Sequence, residues 1–315
     1  LLIPLDSTTL ADSGISFFNT AYLGTKGVFV ALLAGLIVSR LLALITEKNI
    51  VIKLPDSVPE MVSESLSSLL AGVIITIVFL IFRALFAVTP YGNATDCIYT
   101  IIQTPLQSLT GNLPAFIIII LIAQLLWFFG IHGSMTVLPI LFPIWLSYIG
   151  DNTAAMAAGK TIPHVLNIGL WDLANLGGSG ATIGLVILMF FKAKSNQYKS
   201  FGKLTLPCGI FSVNEPVIFG LPVILNPIML IPFIICPIVL VCLGYALIQF
   251  GIVTAPIGIL GLGSMPPLIS GIMQGSLSWG IYQLVAVVIS IIIYYPFFKT
   301  IDNQALAKEK GEPGE

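Results

Sequence analysis

From Leu204 to Phe298 the chain carries a single formally charged side chain, Glu215, and from Cys97 to Gly150 it carries none. A soluble domain needs charged groups every few residues along its surface to stay dispersed. Two stretches of this length without them exclude a soluble enzyme, and they exclude disorder as well. Over the whole chain Lys, Arg, Asp and Glu make up 9% and apolar residues 57%, where an ordinary soluble domain carries about 25% charge. The chain therefore reads as an all-α polytopic membrane protein. The net charge of −1 comes with no basic stripe or basic–aromatic interleaving, so no nucleic-acid partner is expected. Cys97, Cys208, Cys236 and Cys242 are scattered without a C-x-x-C pair and read as free thiols. No metal or cofactor is expected.

A spanning helix needs about 20 apolar residues. The first clear spans are about 23–45 and 66–88, with Arg83 near the end of the second, placed to snorkel. Between them, 46–65 reads as a loop or surface-lying segment. Residues 91–112 carry a partial apolar stripe (Ile101, Ile102, Leu106, Leu109) and read as an interfacial amphipathic helix. The run 113–150 is too long for one untilted crossing, so two shorter pieces meeting at Gly130-Ile131-His132-Gly133-Ser134 are expected. Lys192, Lys194, Lys199 and Lys203 mark 192–203 as a cytoplasmic loop. Residues 204–227, punctuated by Pro and Gly, suggest a re-entrant hairpin, since non-helical backbone at membrane depth must be covered by protein or line a wet cavity. Later spans are about 228–249 and 279–298, with a Gly- and Pro-rich stretch between them. The sequence opens Leu1-Leu2-Ile3 with no basic segment before an apolar core, so no signal peptide is expected. The composition shift near residue 110 separates a scaffold (1–110) from a transporting part (111–300), followed by a tail (301–315). Discontinuous helices like those after residue 110 are how transporters build a site near the membrane midplane.

Glu215 is the sharpest candidate. An isolated carboxylate in an apolar run is functional by default, and Pro216 is expected to block helix formation around it. His132, bracketed by Gly130 and Gly133, can donate and accept at once. His164 is a weaker candidate. A polar ligand in such a site is held by hydrogen bonds around its edge and by aromatic faces, which directs attention to Gln124, Ser134, Asn214 and Asn226. Trp127, Trp171, Trp279, Phe128 and Phe129 are the possible platforms. Trp145 reads as an interfacial belt residue. The run 177–182, with Gly178, Ser179 and Gly180, either offers backbone N–H groups to an anion or makes a tight turn.

AYLGTKGVFVA (21–31), KNIVIKLPDSVPEMVSESLSSLLAG (48–72), FFGIHG (128–133), GGSGAT (177–182) and NEPVIFGLPVILNPIMLIPF (214–233) together resemble one family. It is the membrane IIC component of the phosphoenolpyruvate-dependent sugar phosphotransferase system, in its lactose/cellobiose/diacetylchitobiose branch. The resemblance covers about residues 20–300. It implies a bundle of about ten helices with re-entrant hairpins, several of them preceding the first residue here, in a homodimer in the bacterial inner (cytoplasmic) membrane. The implied activity is inward transport of a disaccharide of the diacetylchitobiose or cellobiose type. Transport would be coupled to 6-phosphorylation by a phosphorylated soluble IIB protein. The resemblance implies that Glu215 and His132 are catalytic. Asn214, Trp127, Gly130, Gln124, Trp279 and His164 are assigned to the sugar, and Gly178, Ser179 and Gly180 are placed near the phosphate. The rival reading is a proton-coupled sugar transporter in which Glu215 carries the proton and no phosphate moves.

Overall fold

Apolar runs without internal charge satisfy their backbone as helix, and five helices among the described residues are long and apolar enough to cross a membrane. The computed structural model describes residues 5–6, 17–18, 27–50, 60–103, 111–221 and 223–311. Apart from one two-residue antiparallel pairing, β1 (Leu5–Asp6) with β2 (Phe17–Phe18), the described elements are helical. Two compact units, Leu1–Gln107 and Ser108–Glu315, divide the chain.

In the first unit, α1 (Val28–Glu47) and α2 (Glu60–Ala87) are the two long helices, and α3 (Ala94–Ile98) touches both. Asn93 starts α3 by accepting the Asp96 N–H at 2.8 Å, the usual N-cap arrangement. Tyr99–Gln103 continues α3 as a π-helical turn. Within the interfacial helix expected over 91–112, residues 94–103 are helical, and residues 104–110 lie outside the described set. So do 51–59 of the expected 46–65 segment, Pro222, and most of the first 26 residues.

In the second unit, α4 (Leu113–Phe128) and α5 (Gly133–Ala157) meet at the expected break, residues 129–132. The second piece is longer than expected: α5 carries Pro139 and Pro143 internally and runs through Asp151. A seven-residue helix, α6 (Ile168–Ala174), is followed by a non-helical segment and then α7 (Ile183–Lys192) and α8 (Asn196–Ile210). The short α9 (Glu215–Gly220) precedes the spanning α10 (Pro227–Gln249). An irregular stretch containing α11 (Ile269–Met273) leads to α12 (Leu277–Glu309), which continues past Lys299. Trp145 is a core residue, not a belt residue. It is almost fully buried, with its ring 5.6 Å from that of Trp171 and 6.3 Å from that of Phe116.

The punctuated stretch 204–227 opens inside α8, which contains Pro207, and continues through the non-helical residues 211–214 into the short α9. α7 and α8 pack against each other. The lysine segment is not a loop, since only Ala193–Ser195 leave the helical conformation. Two carboxylates from the distant end of α12 hold this corner. Asp302, 3% exposed, accepts from Lys194 N (2.8 Å), Ser195 N (3.1 Å) and Ser195 Oγ (2.7 Å). Glu309 accepts from Asn196 N and Gln197 N at 3.0 and 2.9 Å. Glu309 satisfies orphan donors in the first turn of α8 and Asp302 those of the two residues just before it, where negative charge is also favoured by the helix dipole. The bonds bring Lys194 and Lys199 to the same end of the unit as Lys308 and Lys310, which agrees with one basic face.

Removing the Asp302 carboxylate would strand buried N–H donors, which costs about 1–3 kcal/mol each. Asp302→Ala is therefore expected to lower the unfolding midpoint of the solubilised protein by several degrees, measured by thermal denaturation. A midpoint equal to that of the unaltered chain would contradict the corner's role.

Candidate functional site

The segment between α6 and α7 is non-helical backbone in apolar surroundings, and side chains satisfy its carbonyls one after another. Thr182 Oγ1 donates to Gly177 O (2.7 Å), Asn214 Nδ2 to Ser179 O (2.7 Å), Tyr294 OH to Gly180 O (2.7 Å) and Ser290 Oγ to Ala181 O (2.7 Å). Asn214 Nδ2 also donates to Thr182 Oγ1 at 2.9 Å. Gly178, at φ +96°, lies so close to Asn214 that a Cβ would collide with its side chain. The N–H groups of Gly177, Gly178 and Ala181 are engaged within the protein, and the segment makes a tight turn packed on Asn214.

Asn214 immediately precedes Glu215, so the turn fixes where that carboxylate begins. Pro216 starts a helix here: at the first turn its missing N–H has no intrahelical partner to lose. Glu215 is the first residue of α9, and its side chain is 49% exposed and lines a cavity. His132 Nε2 lies 3.9 Å from Glu215 Oε1, with the His side chain 38% exposed. His132 is also the N-cap of α5, because its Nδ1 accepts from Met135 N at 3.2 Å. In the neutral ring that leaves Nε2 carrying the hydrogen, on the side of Glu215. Trp127 backs the pair, with its ring 4.2 Å from the imidazole. It is 2% exposed, so as placed it buttresses His132 and offers little open stacking face.

A cavity of about 250 Å³ collects Trp127, His132, Asn214, Glu215, Gly178 and Ser179. It also takes in Ser134 and Trp171, both candidates from sequence, and Asp172, which the sequence reading passed over. Ser134 Oγ and Ser179 Oγ are 3.3 Å apart. Asp172 carried an available signal: it is the only formal charge between Lys160 and Lys192. Eight expected residues do not line this cavity. Asn226 caps α10 by accepting from Ile228 N, and Phe128 and Phe129 pack against each other at the end of α4. Gly130 is in the turn before His132, and Gly180 packs toward Phe233. Gln124 and Trp279 are fully buried. His164 pairs with Asp151 at 3.0 Å, stacks on Tyr148 and borders a different pocket. Among the described residues no three His, Cys, Asp or Glu side chains gather as a metal site.

A cavity edged by a carboxylate, an imidazole N–H and several hydroxyls is suited to a polyhydroxylated ligand and to moving a hydroxyl proton. Comparison with known proteins leads the same way. The family model for the phosphotransferase system EIIC component matches residues 2–237. The lichenan permease IIC component of Bacillus subtilis (strain 168) is 37% identical over 292 residues, 91% of this chain and 64% of that protein. The cellobiose-specific EIIC component of Geobacillus stearothermophilus is 38% identical over 311 residues, 97% of this chain and 68% of that protein. The crystal structure of the transporter ChbC, the IIC component from the N,N'-diacetylchitobiose-specific phosphotransferase system, matches with a TM-score of 0.89. The two are 35% identical, and the match covers 99% of this chain and 73% of that one. The chain thus spans about two thirds of the length of the curated relatives it matches.

The two roles of His132 can be separated. Asn is a good N-cap but has no group at the Nε2 position, so His132→Asn is expected to keep the thermal midpoint while weakening ligand binding roughly tenfold or more. Undiminished binding by this variant, measured by calorimetry, would reduce His132 to a helix cap.

Proposed function

The chain belongs to the phosphotransferase system EIIC family, and we propose that it carries a disaccharide inward and presents it for 6-phosphorylation by a phosphorylated IIB protein. Components of this kind are integral to the membrane, in keeping with the five membrane-length helices. A sugar of the cellobiose or N,N'-diacetylchitobiose type is favoured because relatives named for such sugars match over nearly the whole chain. The homodimer is part of the proposal. It is supported by the family resemblance and by α1 and α2, whose apolar windows are only 11% buried.

The observation that carries the reading is the approach of His132 Nε2 to Glu215 Oε1 at the cavity edge. A sugar 6-hydroxyl placed between them accepts from the imidazole N–H and donates to the carboxylate. As the sugar oxygen bonds to phosphorus, the phosphorus–sulfur bond to the IIB cysteine breaks. Glu215 takes the hydroxyl proton and the thiolate leaves. The acceptor side contributes positioning and proton removal, and both need Glu215 open to the cavity.

Vesicles holding the full protein and radiolabelled disaccharide, with and without phosphorylated IIB, test the proposal. Sugar 6-phosphate is expected only with IIB. In Glu215→Gln its formation is expected to fall by about 10²–10⁴-fold while sugar still binds, since the amide keeps the shape but cannot take the proton. Accumulation of free sugar under a pH gradient without IIB would favour proton coupling and overturn the proposal.

A further inference from the structure

The carboxylates that hold this fold together have their oxygens matched to donors, as Asp302 and Glu309 show. Asp172 is different. Its Oδ2 is shielded from solvent and has no hydrogen-bond partner among the described residues, a state that is costly unless a donor arrives. The residue lines the same cavity as Glu215 and His132, but comes from another element, α6. Its other oxygen is pressed against the 261–264 segment: a Cβ on Gly263 would collide with Asp172 Oδ1. The carboxylate is thus held in place by backbone, while Asn175 and Ser264 border the cavity beside it. A fixed carboxylate with an open acceptor, in a cavity otherwise edged by hydroxyls and amides, matches a ligand that brings hydroxyl donors.

We propose that Asp172 is a second sugar anchor, accepting a hydrogen bond from a hydroxyl other than the 6-hydroxyl held at Glu215 and so governing which ring substituents the cavity admits. This rests on the disaccharide reading above and adds the residue that selects among disaccharides. The Glu215–His132 pair engages the position common to all 6-phosphorylated sugars, so discrimination must come from groups elsewhere in the cavity. A buried polar group left unpaired by the wrong ligand is the strongest such device.

The test is a set of calorimetric titrations on the full chain with cellobiose and its monodeoxy analogues, each lacking one hydroxyl. For the unaltered protein, one analogue deoxygenated away from position 6 should bind about 10- to 100-fold more weakly. Asp172→Asn should lose a similar factor against cellobiose but lose almost nothing further against that analogue, because the two changes remove one interaction. Gly263→Ala, which displaces the carboxylate without removing it, should show the same non-additivity and serves if the Asn variant does not fold. Equal weakening of every ligand by both variants, or an unaltered protein for which no hydroxyl besides the 6-hydroxyl matters, would overturn the inference. If the unaltered protein binds N,N'-diacetylchitobiose but not cellobiose, the same titrations are made with monodeoxy analogues of that sugar; failure to bind either disaccharide would instead overturn the disaccharide reading, and this inference with it.

Discussion

The arrangement of the second unit depends on satisfying backbone carbonyls where the chain leaves helix in apolar surroundings. An unpaired polar group there costs several kcal/mol, so the segment 177–182 can exist only with donors supplied by side chains. Thr182, Asn214, Ser290 and Tyr294 supply them. Two of these side chains belong to α12 and one directly precedes Glu215. The bonds that make the break tolerable therefore also set the position of the carboxylate at the cavity edge. Structural need and site geometry are met by one set of contacts.

The same solution recurs elsewhere in this unit. Asn152 donates to His164 O and Ile257 O, and Asn167 donates to His164 O and Pro256 O. Gln274 takes the N–H groups of Gly258 and Ile259 on its oxygen and returns a hydrogen bond to Ile259 O. Three buried amides thus clamp the irregular stretches 163–167 and 256–259 together. Buried networks of this kind are favourable only when fully satisfied, and these have donors and acceptors matched. Rigid surroundings suit a cavity whose floor is turn backbone, because no helix ladder is present to hold it.

Features that rest on local cost were legible in the sequence. The long apolar runs, the break at 130–132, and Glu215 and His132 as isolated polar groups all follow from what hydrocarbon penalises. Asp172 obeyed the same rule and was overlooked because its neighbourhood, rich in Gly and Asn, resembles a loop. What was not legible depends on partners far along the chain. Lys192–Lys203 reads as loop by charge, yet Lys is an adequate helix former, and the α8 start is fixed by Asp302 and Glu309 more than a hundred residues later. Trp145 and Trp279 carry the same residue type as Trp127, and only packing separates core from cavity. Pro216 reads as a breaker because its effect depends on whether it falls in the first turn of a helix or in its middle.

The central claim is that Glu215 and His132 hold the hydroxyl that receives the phosphoryl group. A crystal structure of the full protein with a bound disaccharide tests it most directly. The account predicts the 6-hydroxyl oxygen within about 2.6–3.2 Å of the Glu215 carboxylate, with His132 Nε2 on its other side. A sugar whose 6-hydroxyl points away from Glu215, or one seated in the separate pocket beside Tyr148 and His164, would contradict it.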